Sequence, residues 1–132
     1  MIRIEIMLEP RTKKNSQQII MAHGRPIIIP SQAYKKYEKE CGYFIPSNLR
    51  QKGIKTPCNI KVLYFMPTRR KVDLNNLLEA TTDILVHYGV LEDDNRDIVA
   101  GHDGSRVYYD KDNPRCEIEI VELAGYEQWK KI

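Results

Sequence analysis

The 132-residue sequence predicts a single α+β domain, with a mixed or mostly antiparallel sheet and two main helices. Three observations lead there. Short segments alternate apolar and polar residues with the period of a half-buried strand, and one long segment from Asp73 to Tyr88 repeats its apolar residues with the period of a helix. Turn-forming residues separate these segments. A chain of this length buries about two-thirds of its unfolded surface, enough for a core without disulfides, and leaves room for one domain. We assign that domain to residues 1–124 and a polar C-terminal tail to 125–132.

Ile2, Ile4, Ile6 and Leu8 alternate with Arg3, Glu5 and Met7, which makes the N-terminus a strand that Pro10 ends. From Ile19 to Ile29, β-branched runs flank Ala22-His23-Gly24-Arg25, where Gly24 can supply the positive φ of a tight hairpin turn. Ser31 then caps a short helix with Tyr34, Tyr37 and Cys41 on one face, stopped at Gly42. The stretch from Tyr43 to Pro57 has no clear period and is expected to be a loop or a lid. Ile60, Val62 and Tyr64 alternate with Lys61, Leu63 and Phe65 to form an interior strand from Asn59 to Met66. In the long helix, Leu74, Leu77, Leu78, Thr81, Ile84, Leu85 and Tyr88 form the buried stripe, and Gly89 is its stop. Ile98–Ala100, Arg106–Tyr109 and Cys116–Leu123 are three further strands.

Cys41, Cys58 and Cys116 are too widely spaced for a zinc site or a disulfide framework and are expected to be buried thiols. No apolar run is long enough for a membrane span, and the N-terminus alternates where a signal peptide would be continuously apolar. The expectation is a cytoplasmic protein without a membrane partner. A net charge of +3, from 21 basic and 18 acidic residues, is too small to indicate nucleic acid unless the charges segregate. They do segregate. Arg11, Lys13 and Lys14 form one basic cluster, Arg69, Arg70 and Lys71 another, and Glu92, Asp93, Asp94 and Asp97 an acidic one.

Around the long helix, Asn75, Asn76, Glu79, Asp83 and His87 lie opposite the apolar stripe, with Asp73 at the N-terminal end of that side. Carboxylates from two elements are what a Mg²⁺ site for phosphodiester cleavage needs, because hard oxygen donors hold the ion. Spacing alone also fits a plainer reading: Asp73 as a helix cap, Asn75 to Asp83 as a solvated face and Asp93-Asp94 as a turn.

The run Arg69-Arg70-Lys71-Val72-Asp73-Leu74-Asn75-Asn76-Leu77-Leu78-Glu79-Ala80, then Asp83-Ile84-Leu85, Gly89-Val90 and Asp93-Asp94, resembles the RusA family of Holliday-junction resolvases. That family's pattern is Asp-Leu-Asp-Asn-Leu-x-Lys-Ala, Asp-Ala-Leu, a Gly and an Asp pair, and it aligns without a gap from Arg69 to Asp94. Pro10, Asn15-Ser16 and Gln32-Ala33-Tyr34 extend the likeness more weakly. The resemblance implies a homodimeric, Mg²⁺-dependent endonuclease, with Mn²⁺ as a second usable ion, that resolves four-way DNA junctions in recombination and repair. It also implies a phage or prophage origin.

By position, Asp73 matches the family's first catalytic aspartate and Asp94 the last, while Asn75 stands in place of an aspartate and Glu79 in place of a lysine. Residues 75 and 79 are helix neighbours, so Glu79 can reach toward the space a shorter carboxylate at 75 would fill. The expected catalytic residues are therefore Asp73, Glu79 and Asp94, with Asn75 joining them as a metal ligand. Arg69, Arg70 or Lys71 would supply the missing positive charge, and Arg11, Lys13, Lys14, Arg69, Arg70 and Lys71 would grip DNA phosphates, with Arg106 and Lys111 as weaker candidates. Asp93 is expected to be a turn or supporting residue, Asp83 a solvated one, and His87 and His102 structural rather than proton donors. Two other readings remain: a noncatalytic branched-DNA-binding protein that keeps the fold, and a nuclease of the same fold acting on flaps or other branches.

Overall fold

The computed structural model describes residues 1–13, 17–127 and 129–131, with the backbone alone for 17, 18 and 30. Its elements in chain order are β1 (Ile2–Ile6), β2 (Gln17–Ala22), β3 (Arg25–Pro30), α1 (Gln32–Cys41), β4 (Cys58–Met66), α2 (Leu74–His87), β5 (Val99–Gly101), β6 (Arg106–Tyr109) and β7 (Arg115–Glu122). The α+β architecture is the expected one. The sheet is mixed: β7 lies antiparallel between β1 and β4, and the far edge of β4 pairs in parallel with both β5 and β6.

Alternation decides which face of the sheet is covered. Along β4, Cys58, Ile60, Val62, Tyr64 and Met66 are buried and the residues between them only half-buried. Ile4 and Ile6 of β1, and Cys116, Ile118 and Ile120 of β7, join them in one core with Leu77, Ile84 and Leu85 of α2 and Tyr34, Tyr37 and Cys41 of α1. The outer face carries charge, including the pairs Arg3–Glu119 at 3.2 Å and Arg115–Glu117 at 2.8 Å. All three cysteines are buried thiols, and burial pushes Cys58 up to about 11 and Cys41 up to about 12.

β5 and β6 pair with opposite ends of β4, and the interval between them is closed by side chains. Ser105 Oγ accepts from the Val62 N–H at 3.0 Å, His102 Nδ1 donates to the Ile60 carbonyl at 2.9 Å, and Asn59 Oδ1 accepts from the Asp103 N–H at 2.8 Å. Buried backbone groups need partners, and here the side chains of Ser105 and His102 satisfy β4 where no strand pairs with it, while Asn59 of β4 holds the loop in place. His102 is thus structural, as expected.

α2 is fixed to the sheet by a buried hydrogen bond of 2.6 Å between Tyr64 and Thr81. Thr81 Oγ1 spends its hydrogen on the Leu77 carbonyl at 3.0 Å, so the Tyr64 hydroxyl is the donor. Gly42, read from sequence as the stop of α1, has an ordinary right-handed φ of −58° and opens a 3-10 turn. Its lack of a side chain serves packing: a Cβ there would lie 2.7 Å from the Tyr88 hydroxyl, which donates to the Glu38 carbonyl at 2.7 Å and so ties α2 to α1.

The segment from 43 to 57 is the expected loop, with a 3-10 turn over Gly42–Phe44, but it is a packed connection rather than a lid. Ile45, Leu49 and Ile54 are buried, and the N–H groups of Gln51, Gly53 and Ile54 donate to the carbonyls of Tyr88, Gly89 and Val90. Sequence periodicity could not show this, because the segment is anchored by backbone rather than by a regular apolar face. β2 and β3 form the expected hairpin, with His23 and Gly24 at φ of 53° and 74° in its two-residue turn, and among the described residues they pair with no other strand. No helix among the described residues is long and apolar enough to cross a membrane.

Gly89 does have the left-handed φ, 74°, expected of a helix stop, and a Cβ there would lie 2.8 Å from the Gln51 backbone nitrogen. Gly125 has the same sign of φ with nothing within 4 Å of the added carbon. In urea unfolding, Gly125→Ala is expected to cost only the left-handed penalty, about 1 kcal/mol, and Gly89→Ala about 3 kcal/mol because overpacking is added. Equal losses would mean that the 51–54 connection is not held against the end of α2.

Candidate nucleic-acid and metal site

The site is built around the two ends of α2. At its start, Asp73 Oδ1 accepts from the backbone N–H of Asn75 at 2.8 Å and of Asn76 at 3.3 Å, so one oxygen of the carboxylate satisfies the helix terminus. Asn75 and Glu79 follow as exposed residues on successive turns, with half-buried Asp83 one turn further on. Beyond the helix, Asp93 Oδ1 accepts from the Asp94 N–H at 2.8 Å and Asp93 Oδ2 from the Asn95 side chain at 3.2 Å. Asp93 is thus a turn residue that orients Asp94, and these bonds hold its carboxyl below the ordinary range.

Asp94 behaves in the opposite way. Partial burial pushes its carboxyl up, and the neighbouring carboxylates of Asp93 and Asp83 push it further. The charge of Asp83 on α2 is thus felt at Asp94, in the turn that follows the helix. Asp83 was expected to be merely solvated. The signal was available, because 75, 79 and 83 are spaced by four and share one line along the helix.

Asp83 is engaged from a third element. Lys13 Nζ lies 3.1 Å from Asp83 Oδ2 and 5.8 Å from the centroid of the Tyr34 ring. The Tyr34 hydroxyl is buried with no hydrogen-bond partner among the described residues. Burial pushes its pKa up, and the charges of Glu38, Asp83 and Glu79 contribute in the same direction. The segment after β1 thus runs along α2 and sets an ammonium against its acidic face.

The basic residues meet at the other end of α2. Arg11 and Arg70 line one cleft of about 200 Å³ with Pro10, Thr12, Met66 and Val72. Arg70 also borders a second cleft of about 230 Å³, where Arg69 stands 4.9 Å over the ring of Tyr109. Arg11 lies 3.8 Å from Glu9, an exposed pair that phosphate can displace. Lys71 is exposed, and Lys14, with the Asn15-Ser16 echo, lies outside the described residues. Arg106 donates to the Ser105 carbonyl at 2.8 Å, and Lys111 is exposed in the turn before β7. His87 is paired at 4.0 Å with Glu38 of α1.

Asp73, Asn75, Glu79 and Asp94 are all oxygen donors, which suits a hard divalent cation. Among the described residues no three His, Cys, Asp or Glu side chains converge closely enough to hold a metal ion. Ten residues of helix set Asp73 roughly 15 Å from Asp83 along the axis, so the carboxylates are spread over α2.

The raised carboxyl of Asp94 has a sign that can be tested. Its proton is held more tightly in the fold than in the unfolded chain, so this group favours folding at low pH, and that contribution is lost as pH rises through the folded pKa. Asp94→Asn is expected to raise Tm slightly at neutral pH, with the gain vanishing below the ordinary carboxylate range. A gain that persists in acid would exclude the Asp83 and Asp93 charges as its cause.

The family model for the endodeoxyribonuclease RusA matches residues 7–121, which include every element from β2 to all but the last residue of β7, and both clefts. No curated protein matches the chain. With the match extending over most of its 132 residues, the chain belongs to the RusA endodeoxyribonuclease family.

Proposed function

We propose that the protein is a divalent-metal-dependent, structure-selective endodeoxyribonuclease that resolves four-way DNA junctions in recombination and repair. The observation that carries this reading is the meeting of Arg11 and Arg70 in one cleft at the start of α2, beside Asp73 and the acidic face that follows it. Phosphates would be gripped by these arginines with Arg69, Lys71, Lys13 and Lys14, and the branch would be recognised by shape. Asp73, Glu79 and Asp94, with Asn75, are the oxygen donors we assign to Mg²⁺ or Mn²⁺, as donors spread along α2 rather than as one closed coordination shell. When bound, the ion would activate a water for in-line attack on phosphorus. Asp73 can serve both roles because its two backbone bonds fall on a single oxygen. Asp93 orients Asp94, and Lys13 balances the charge of Asp83.

Paired cuts in opposed strands call for two sites related by symmetry, hence a homodimer. The β2–β3 ribbon supports it. Ile19 and Ile28 face each other across the strands at 71% and 63% exposure, with Met21 beside them, and an isolated hairpin is marginal in water.

A second reading, a noncatalytic protein that binds branched DNA, is favoured by Asn75 and Glu79 in place of an aspartate and a lysine, and by the spread of the carboxylates. Cleavage of a labelled four-way junction in Mg²⁺ and Mn²⁺ separates the two. The wild type is expected to cut symmetrically, and Asp73→Asn to cut about 100-fold more slowly or worse, the scale of a lost several-kcal/mol contribution. Its Tm should hardly change, since Asn caps a helix as well as Asp does. Glu79→Lys is expected to lose activity. Retained or improved cleavage would show that position 79 does not supply a ligand, and binding without cutting in either ion would favour the noncatalytic protein.

A further inference from the structure

The outer face of the sheet carries an aromatic stack that ends at an open edge. Arg115 of β7, Phe65 of β4 and Tyr108 of β6 are register neighbours across three strands. The Arg115 guanidinium lies 3.8 Å from the Phe65 ring centroid, and Phe65 and Tyr108 stack at 5.4 Å with planes 24° apart. Arg115 is held at its end of the stack by Asp110 at 3.0 Å and Glu117 at 2.8 Å, so its charge is balanced and its plane fixed. At the other end Tyr108 is 49% exposed, and among the described residues β6 pairs with β4 alone. A large aromatic surface is thus left in water at the rim of a stack built to support it.

What lies beside that rim indicates its occupant. The cleft of about 230 Å³ reaches the same strand edge from the inner face of the sheet, where Tyr109, Met66 and Val107 wall it, and its charged lining is Arg69 and Arg70. An exposed aromatic ring on one face of a strand edge, with guanidinium groups just across that edge, suits a flat, uncharged ring attached to phosphates. A single unstacked nucleobase has that chemistry, because every base presents a π-face and carries its phosphates at one side. Arg70 borders both this cleft and the one at the start of α2, so a strand gripped there passes between the two.

We propose that the β6 edge is a nucleobase site: one unpaired or unstacked base of the DNA lies on Tyr108, extending the Arg115–Phe65–Tyr108 stack, while Arg69 and Arg70 hold the phosphates that flank it. The site explains how branched DNA is distinguished from a continuous duplex, since a branch point offers bases that have lost a stacking neighbour. It rests on the DNA-binding part of the function proposed above and is independent of cleavage.

The test is photocrosslinking, without divalent ions, of a four-way junction and of a single-stranded oligonucleotide, each carrying 5-iodouracil, at the branch point in the junction. This base crosslinks to an aromatic ring on which it is stacked, and the crosslinked peptide is identified by mass spectrometry. The wild type is expected to crosslink both probes at Tyr108. Tyr108→Ala should abolish the crosslink and weaken junction binding roughly ten- to hundredfold, while Tyr108→Phe, which keeps the ring, should retain both. Arg70→Gln should lower the salt dependence of binding by about one phosphate contact and keep the crosslink at saturation. Circular dichroism of the variants excludes misfolding as the cause. Crosslinking elsewhere, or unchanged in Tyr108→Ala, overturns the base site. Crosslinking of the single strand at Tyr108 with no junction binding leaves the base site standing and removes the junction function, whereas no binding of either probe overturns both.

Discussion

The hydrogen bond from the Tyr64 hydroxyl to Thr81 fixes where the chemistry of this molecule can occur. It is buried, and it joins the central strand to the middle of α2, so the helix can neither slide along the sheet nor rotate on it without leaving the buried Tyr64 hydroxyl unpaired. Every other feature of the site follows from that placement. The polar face of α2 is the one turned away from Leu77, Ile84 and Leu85, and the start of the helix comes to lie beside Met66, where the end of β4 delivers Arg69 and Arg70. The alternation of β4 thus acts twice: its buried side docks the helix, and its other side carries Phe65 out to the aromatic stack.

Charge is distributed so that opposite signs gather at opposite ends of α2. The acidic end, with Asp83 near Asp94, is where partial burial and mutual repulsion already raise a carboxyl, and Lys13 is set against it at 3.1 Å. The basic end lies at the helix start, where Asp73 is spent in part on capping and the two clefts meet at Arg70. A polyanion approaching the molecule is drawn to the start of α2 and repelled from its far end unless cations intervene. The partial exposure of the Lys13–Asp83 pair means it stabilises the fold by little, about 0.2 to 1 kcal/mol, so its arrangement can change when DNA or a cation arrives.

Much of this was legible in the sequence, and the reasons are specific. Regular alternation in β1, β4 and β7 and the helical stripe of α2 gave the elements to within a residue or two, because burial of a repeating apolar face dominates local conformation there. The motif around Asp73 and the pair at Asp93-Asp94 were readable because capping and turn formation are local. The packed connection at 45–54 was not, since its backbone bonds run to residues 88–92, nor was the reason for Gly42, which lies in the side chain of Tyr88. Asp83 was passed over because a solvated helix face and a site face have the same sequence pattern, and only the positions of Lys13 and Asp94 tell them apart.

The two departures from the family's pattern have a common physical consequence. Replacing an aspartate by Asn75 removes a negative charge and replacing a lysine by Glu79 adds one while removing a positive charge, so the acidic face becomes one unit more negative overall. Lys13, which comes from a different element, partly offsets that at Asp83. A surface of this kind needs cations more than one with a built-in lysine does, whether from the chain or from solution. The arginines around the start of α2 stand where they can screen a phosphate from it. The same reasoning separates grip from chemistry in this fold. The residues proposed to bind the backbone and the base are anchored on the sheet edge and the β4–α2 connection, where exposure and positive charge coincide, whereas the carboxylates lie along a helix whose position is set from the buried side. A change in one set therefore leaves the support of the other intact, and substitutions at positions 75 and 79 can alter the acidic face without disturbing either the helix or the arginine-lined clefts.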